Sequence, residues 1–76
     1  MTLYAYINDN FQRIKTEIRL GIIPCSILRH WQIYSRYDYH KKTGCTTTTA
    51  VVSTMIDLNV SDRYIYAIIK KMETEV

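Results

Sequence analysis

Seventy-six residues, 47% hydrophobic and 22% charged, make one small domain of ordinary folded composition, which leaves no room for a second unit. A net charge of +3 with a pI near 9.0 favours a nucleic-acid partner without requiring one. Two cysteines are too few for a disulfide-built scaffold, and no run approaches the roughly eighteen apolar residues of a membrane span.

A chain of this size buries only about 60% of its unfolded surface, so oligomerisation is the remaining common way to add buried area. Two glycines and one proline among spaced apolar residues favour an all-α chain. The opening MTLYAYINDN lacks the basic start and apolar core of a secretion signal, so the expected location is cytoplasmic, with no membrane partner.

Leu3, Ile7, Phe11, Ile14 and Ile18 recur at steps of four, four, three and four, which predicts one helix with one apolar face. Thr2 is its candidate N-cap, and Gly21 followed by Pro24 its stop. The near-heptad spacing also suits a partner helix or a second subunit. After the connector Gly21-Ile22-Ile23-Pro24, Cys25-Ser26 opens a second helix. It carries Ile27, Leu28, Trp31, Tyr34 and Tyr37, and Gly44 ends it. Trp31, Tyr34, Tyr37 and Tyr39 suit either a base-stacking platform or a core; aromatics at helical spacing in a tiny domain favour core.

From Thr46 to Leu58 the β-branched Thr46–Thr49, Val51 and Val52 argue for a strand. Strict alternation is missing, and Val51, Val52, Met55 and Ile56 recur at i, i+1, i+4 and i+5, which predicts a third helix. A turn at Leu58-Asn59-Val60 follows, and Ser61 caps a fourth helix. There Ile65, Ile68, Ile69 and Met72 share one face. At about 100° per residue, Arg63, Ala67 and Lys70 fall opposite, with Tyr66 beside them.

The two C-terminal helices with their short turn match the helix-turn-helix unit, whose second helix enters the DNA major groove. Lys41, Lys42, Arg63, Lys70 and Lys71 outnumber Asp57 and Asp62 over this part of the chain. At LNVSDRYIYAIIKK the sequence resembles the helix-turn-helix superfamily, closest to the small Mor-like and transposase- or recombinase-associated DNA-binding domains. The resemblance covers about residues 46–71. Asn59 stands where those domains have a glycine-like turn residue, Val60-Ser61 at the helix entry, and Ile65 and Ile68 on the inner face. Met55 departs from the usual small residue, a change that opens the angle between the helices.

Other chemistry finds little support. Cys25, His30, His40 and Cys45 are spaced more widely than structural zinc ligands, which pair as C-x2-4-C or H-x3-5-H. Catalysis lacks a nucleophile with a base, a Gly-rich phosphate loop or paired carboxylates. The expectation is a non-enzyme without cofactor or metal.

The sequence therefore predicts a small four-helix domain. Residues 1–45 would form a helical scaffold and dimerisation hairpin, and residues 46–72 a helix-turn-helix. The predicted function is sequence-specific binding of double-stranded DNA, as a transcriptional regulator or mobile-element protein. Arg63, Tyr66, Ala67 and Lys70 would face bases, with Ser61 at the helix entry. Tyr64, Thr47, Thr48, Lys41, Lys42 and Lys71 would meet phosphates. A homodimer is expected through Leu3, Ile7, Phe11, Ile14 and Ile18, with Trp31 or Tyr34. The rival reading is a small helical protein-interaction module, since seven tyrosines suit an interface.

Overall fold

The computed structural model describes residues 1–76 as five helices and no sheet. They are α1 (Leu3–Asp9), α2 (Phe11–Arg19), α3 (Ser26–Lys42), α4 (Thr47–Leu58) and α5 (Asp62–Met72). The chain is all-α as the sequence predicts, but the count is five rather than four.

The extra helix comes from Asn10. The predicted helix over residues 3–18 is interrupted there, at φ −118° and ψ 23°. The Asn10 side-chain amide donates to the Tyr6 carbonyl at 2.8 Å. A short polar side chain that offers the backbone such a partner stabilises a break within a helix. The apolar stripe continues across the break, with Ile7 and Ile14 both buried.

Glycine is required at two turns. Gly21 has φ +80°; Ile22 N–H reaches back to Glu17 C=O and Gly21 N–H to Ile18 C=O, which closes α2 in a Schellman arrangement. Gly44, at φ +99°, ends α3 in the same way through Cys45 N–H to His40 C=O and Gly44 N–H to Lys41 C=O.

Helix α3 is the spine, since α1, α4 and α5 all pack on it. Its 17 residues are enough for a rod about 25 Å long. Ile33 is fully enclosed and, with Tyr34 and Tyr37, forms the centre of the core. Ile7, Ile14, Ala50, Val51, Ile65, Ile68 and Met72 complete it. The aromatics of α3 are thus mainly structural. Tyr34 and Tyr37 are buried with ring centres 5.6 Å apart, and the Tyr34 hydroxyl donates to Glu73 at 3.0 Å. Burial and that carboxylate push the Tyr34 phenol well above its ordinary range. Tyr39 is exposed.

The seven residues expected at a dimer interface find their partners within the chain. Ile7, Ile14 and Tyr34 are buried, and Leu3, Phe11, Ile18 and Trp31 pack half-buried against the same core. Phe11 meets Trp31 at 4.8 Å, and the Trp31 indole donates to Asn8 at 2.7 Å.

On α4 the buried face differs from the predicted one. Ala50, Val51 and Thr54 are enclosed, whereas Val52 is 47% and Ile56 77% exposed. Thr54 is admitted to the core because its hydroxyl donates to the Ala50 carbonyl at 2.8 Å, leaving its methyl to pack. The inward face therefore runs through one alanine and one satisfied threonine, a pattern that a count of large apolar residues misplaces by about one position.

The chain ends meet. Leu3 N–H donates to Thr74 C=O at 2.8 Å, and Val76 N–H donates to Met1 C=O at 2.9 Å. The terminal ammonium lies 3.1 Å from Glu75.

Candidate nucleic-acid interface

The C-terminal pair of helices is defined at each end by local chemistry. Thr46 begins α4, its hydroxyl accepting from Thr49 N–H at 3.3 Å. Asn59 ends it in the left-handed conformation, φ 55° and ψ 50°, with its N–H bonded to Met55 C=O at 2.8 Å. Asn tolerates this region better than other non-glycine residues because its short polar side chain can bond locally. Ser61 begins α5, its oxygen accepting from Tyr64 N–H at 3.2 Å, and Asp62 adds negative charge in the first turn. Only Asn59, Val60 and Ser61 separate the two helices.

The faces of α5 divide sharply. Ile65, Ile68 and Met72 are buried, and Arg63, Tyr66, Ala67 and Lys70 are all exposed on the other side. Neither Arg63 nor Lys70 takes part in an ion pair, so both charges are free for an external anion. Tyr64 and Lys71 occupy the margin of α5 that meets α3. The Tyr64 ring lies edge-on to His30 at 6.0 Å, and Lys71 shares a small pocket with the same histidine.

A second group forms where α3 ends and α4 begins. Lys41 donates to the Thr47 hydroxyl at 3.1 Å, and Thr48 is exposed beside it in sequence. Lys42 differs from the other candidates because it pairs with Asp38 at 3.0 Å, which raises its pKa. No hydrogen bond or ion pair joins this group to the outward face of α5.

Helices α3 and α4 are also joined by a network that the sequence did not announce. Asp57 of α4 accepts from Arg36 at 2.8 Å and pairs with His40 at 2.8 Å, both on α3. These two bonds, His40 first, hold the Asp57 carboxyl below its ordinary range. An open groove of about 470 Å³ runs past it, lined by Gln32, Ser35, Arg36, Tyr39, Asp57 and Leu58. Arg36 and His40 are one turn apart, a spacing visible in sequence, but nothing local points to a carboxylate 17 residues beyond His40. The network fixes α4 on α3, and so fixes the platform from which α5 projects.

Cys25 is exposed, Cys45 is half-buried, and both thiols are free. No three His, Cys, Asp or Glu side chains converge as metal ligands would. No helix is long and apolar enough to cross a membrane. Compared with protein-family models, curated proteins and solved structures, the chain matches none.

Proposed function

We propose that this chain binds double-stranded DNA, with α4, the Asn59 turn and α5 acting as a helix-turn-helix and α5 entering the major groove. The observation that carries the reading is the outward face of α5, where Arg63, Tyr66, Ala67 and Lys70 stand exposed with both cations unpaired. An arginine at the start of a groove-bound helix reads guanine with two hydrogen bonds, and an alanine methyl packs on thymine methyl. Lys41, Lys71, Thr47 and Thr48 fit phosphate contacts, which give affinity without sequence information. Sequence-specific binding of this kind suits a transcriptional regulator or a mobile-element protein, acting without catalysis or cofactor. Two copies across half-sites one helical turn apart would double the base contacts. Their pairing surface has to lie outside the core, because Ile7, Ile14 and Tyr34 are enclosed.

The test is binding to duplex DNA across a salt series. The free cations Lys41, Arg63, Lys70 and Lys71, at about 0.9 counterions each, give a log–log slope of about −3 to −4. A flat response, or no binding at low salt, refutes the proposal. One observation favours a protein-interaction module instead: Val52 and Ile56 expose a pair of aliphatic side chains one turn apart on α4. That reading takes over if duplex binding fails while a protein partner protects this face.

A further inference from the structure

Fourteen consecutive residues, Thr43 to Ile56, carry no charge in a chain that is 22% charged. They include most of α4, and its outer side is bare. Val52 is 47% and Ile56 77% exposed, with Thr48 and Thr49 exposed one turn earlier. At about 100° per residue these four side chains share one face, away from the enclosed Ala50, Val51 and Thr54. All four are β-branched. Such residues lower helix propensity, and a solvated helix face ordinarily carries charge instead. Their advantage is stiffness: fixed χ1 angles leave little side-chain freedom to lose when a second surface covers them.

The ends of α4 identify that second surface. A helix start usually has acidic residues beside it and a helix end basic ones. Helix α4 has neither, and the charges around it are reversed. Lys41 holds its ammonium 3.1 Å from Thr47 at the start, and Asp62 opens α5 just beyond the Asn59–Ser61 turn at the end. Neither takes part in an ion pair within the chain. An inverted copy of the same face is therefore its electrostatic complement. We propose that the outer face of α4 is a self-association surface, on which a second copy of this chain lays its own α4 antiparallel across a two-fold axis. Val52 of each copy then faces Ile56 of the other. The same register sets Thr47, with the Lys41 ammonium bonded to it, level with the other copy's Ser61 and Asp62. The two helix dipoles oppose, each positive end beside a negative one.

The outer half of this 12-residue helix, about 18 Å long and about 10 Å across, offers roughly 300 Å². A stable dimer buries about 800 Å² per partner, so free copies associate weakly, with a Kd on the order of 100 µM. Adjacent half-sites on a duplex would hold two copies at roughly millimolar effective concentration and complete the pairing. That use rests on the DNA reading; the pairing itself does not. It takes no residue from the outward face of α5, but it does engage Lys41, so each paired copy neutralises one phosphate fewer.

Sedimentation equilibrium of the full chain without DNA, from about 10 µM to about 1 mM, reads the association. A concentration-dependent dimer is expected, and a monomer throughout overturns the proposal. Val52→Lys and Ile56→Asp each leave unpaired charges in the interface and should weaken association about tenfold or more. Both positions are exposed, so Tm should hold in each. Mixed one to one, the two variants should regain parent-like association. The register sets the lysine of one against the aspartate of the other and leaves the second Val52–Ile56 contact intact. A mixture no better than its components overturns the pairing. Lys41→Glu keeps the apolar pair and sets an acid against Asp62. It should weaken the dimer about fivefold or more, since the change counts twice across the two-fold, and an unchanged dimer would also overturn the proposal. A dimer without duplex binding keeps this surface and removes the DNA reading. Duplex binding by a chain that stays monomeric does the reverse.

Discussion

Asn59 is the place where a single backbone conformation sets the relation between α4 and α5, so its substitution isolates that conformation. The residue sits at φ 55° and is exposed, and its one recorded bond uses the backbone N–H, which every non-proline residue keeps. Replacing it therefore removes little packing and tests the left-handed geometry itself. For an L-residue with a Cβ this region costs roughly 1–2 kcal/mol, and Asn escapes part of that. Asn59→Ala should lose about 1 kcal/mol. Asn59→Gly should stay within about 0.5 kcal/mol of the parent, since relief at positive φ is offset by the greater freedom of glycine in the unfolded chain. For a domain of this size 1 kcal/mol is a Tm shift of about 4–8 °C. Thermal and urea unfolding followed by circular dichroism read the difference, with the urea slope expected to be the same in all three proteins. Equal melting of the alanine and glycine variants would show that the turn is not held left-handed, and would remove the geometric basis for the α4–α5 unit.

The outward face of α5, the α3–α4 network and the core each give a further prediction. Arg63→Ala should relax sequence preference and cost about 1–3 kcal/mol in duplex binding, whereas Lys70→Ala should weaken all sequences alike; unchanged binding in both, measured by fluorescence anisotropy, excludes α5 as the reader. The Asp57 carboxyl has a folded pKa below its ordinary 3.8, so its stabilisation is present above that value and fades as pH falls through the lower one. Asp57→Asn should therefore be less stable than the parent at neutral pH, and the two denaturation curves should converge below about pH 4; a gap that is constant with pH would refute the charge-based account. Ile33→Ala should cost about 2–5 kcal/mol at its enclosed site, while Ile56→Ala should change stability by less than about 0.5 kcal/mol. Similar losses in both would mean that α4 is turned as its large residues alone suggest.

Helix positions were readable where capping and periodicity agreed. Thr2 and Ser61 each cap the helix expected of them, and Ile65, Ile68 and Met72 face inward as their spacing requires. Two features were hidden for different reasons. The break at Asn10 depends on a side-chain-to-backbone bond that leaves the apolar spacing intact on both sides, so periodicity is blind to it. The face of α4 was misjudged because its most enclosed residues, Ala50 and Thr54, are small or polar and carry little hydrophobic signal. Of the candidate site, the outward residues of α5 could be read directly from one helical wheel. The Asp57 network and the His30 pocket could not, since each joins residues that only the tertiary fold brings together.

The clasp between Met1–Leu3 and Thr74–Val76 makes the backbone close to a ring. Contacts between the two ends span the whole sequence, so they bear the largest loop-closure entropy and belong among the last to form during folding. Because the ends already lie side by side, a short linker can join them, and the ring can be reopened at Gly44, an exposed turn between α3 and α4. In that permuted order α4 and α5 come first and α1 follows α5 directly. The same core is reached by a route in which the present long-range clasp has become the most local of contacts.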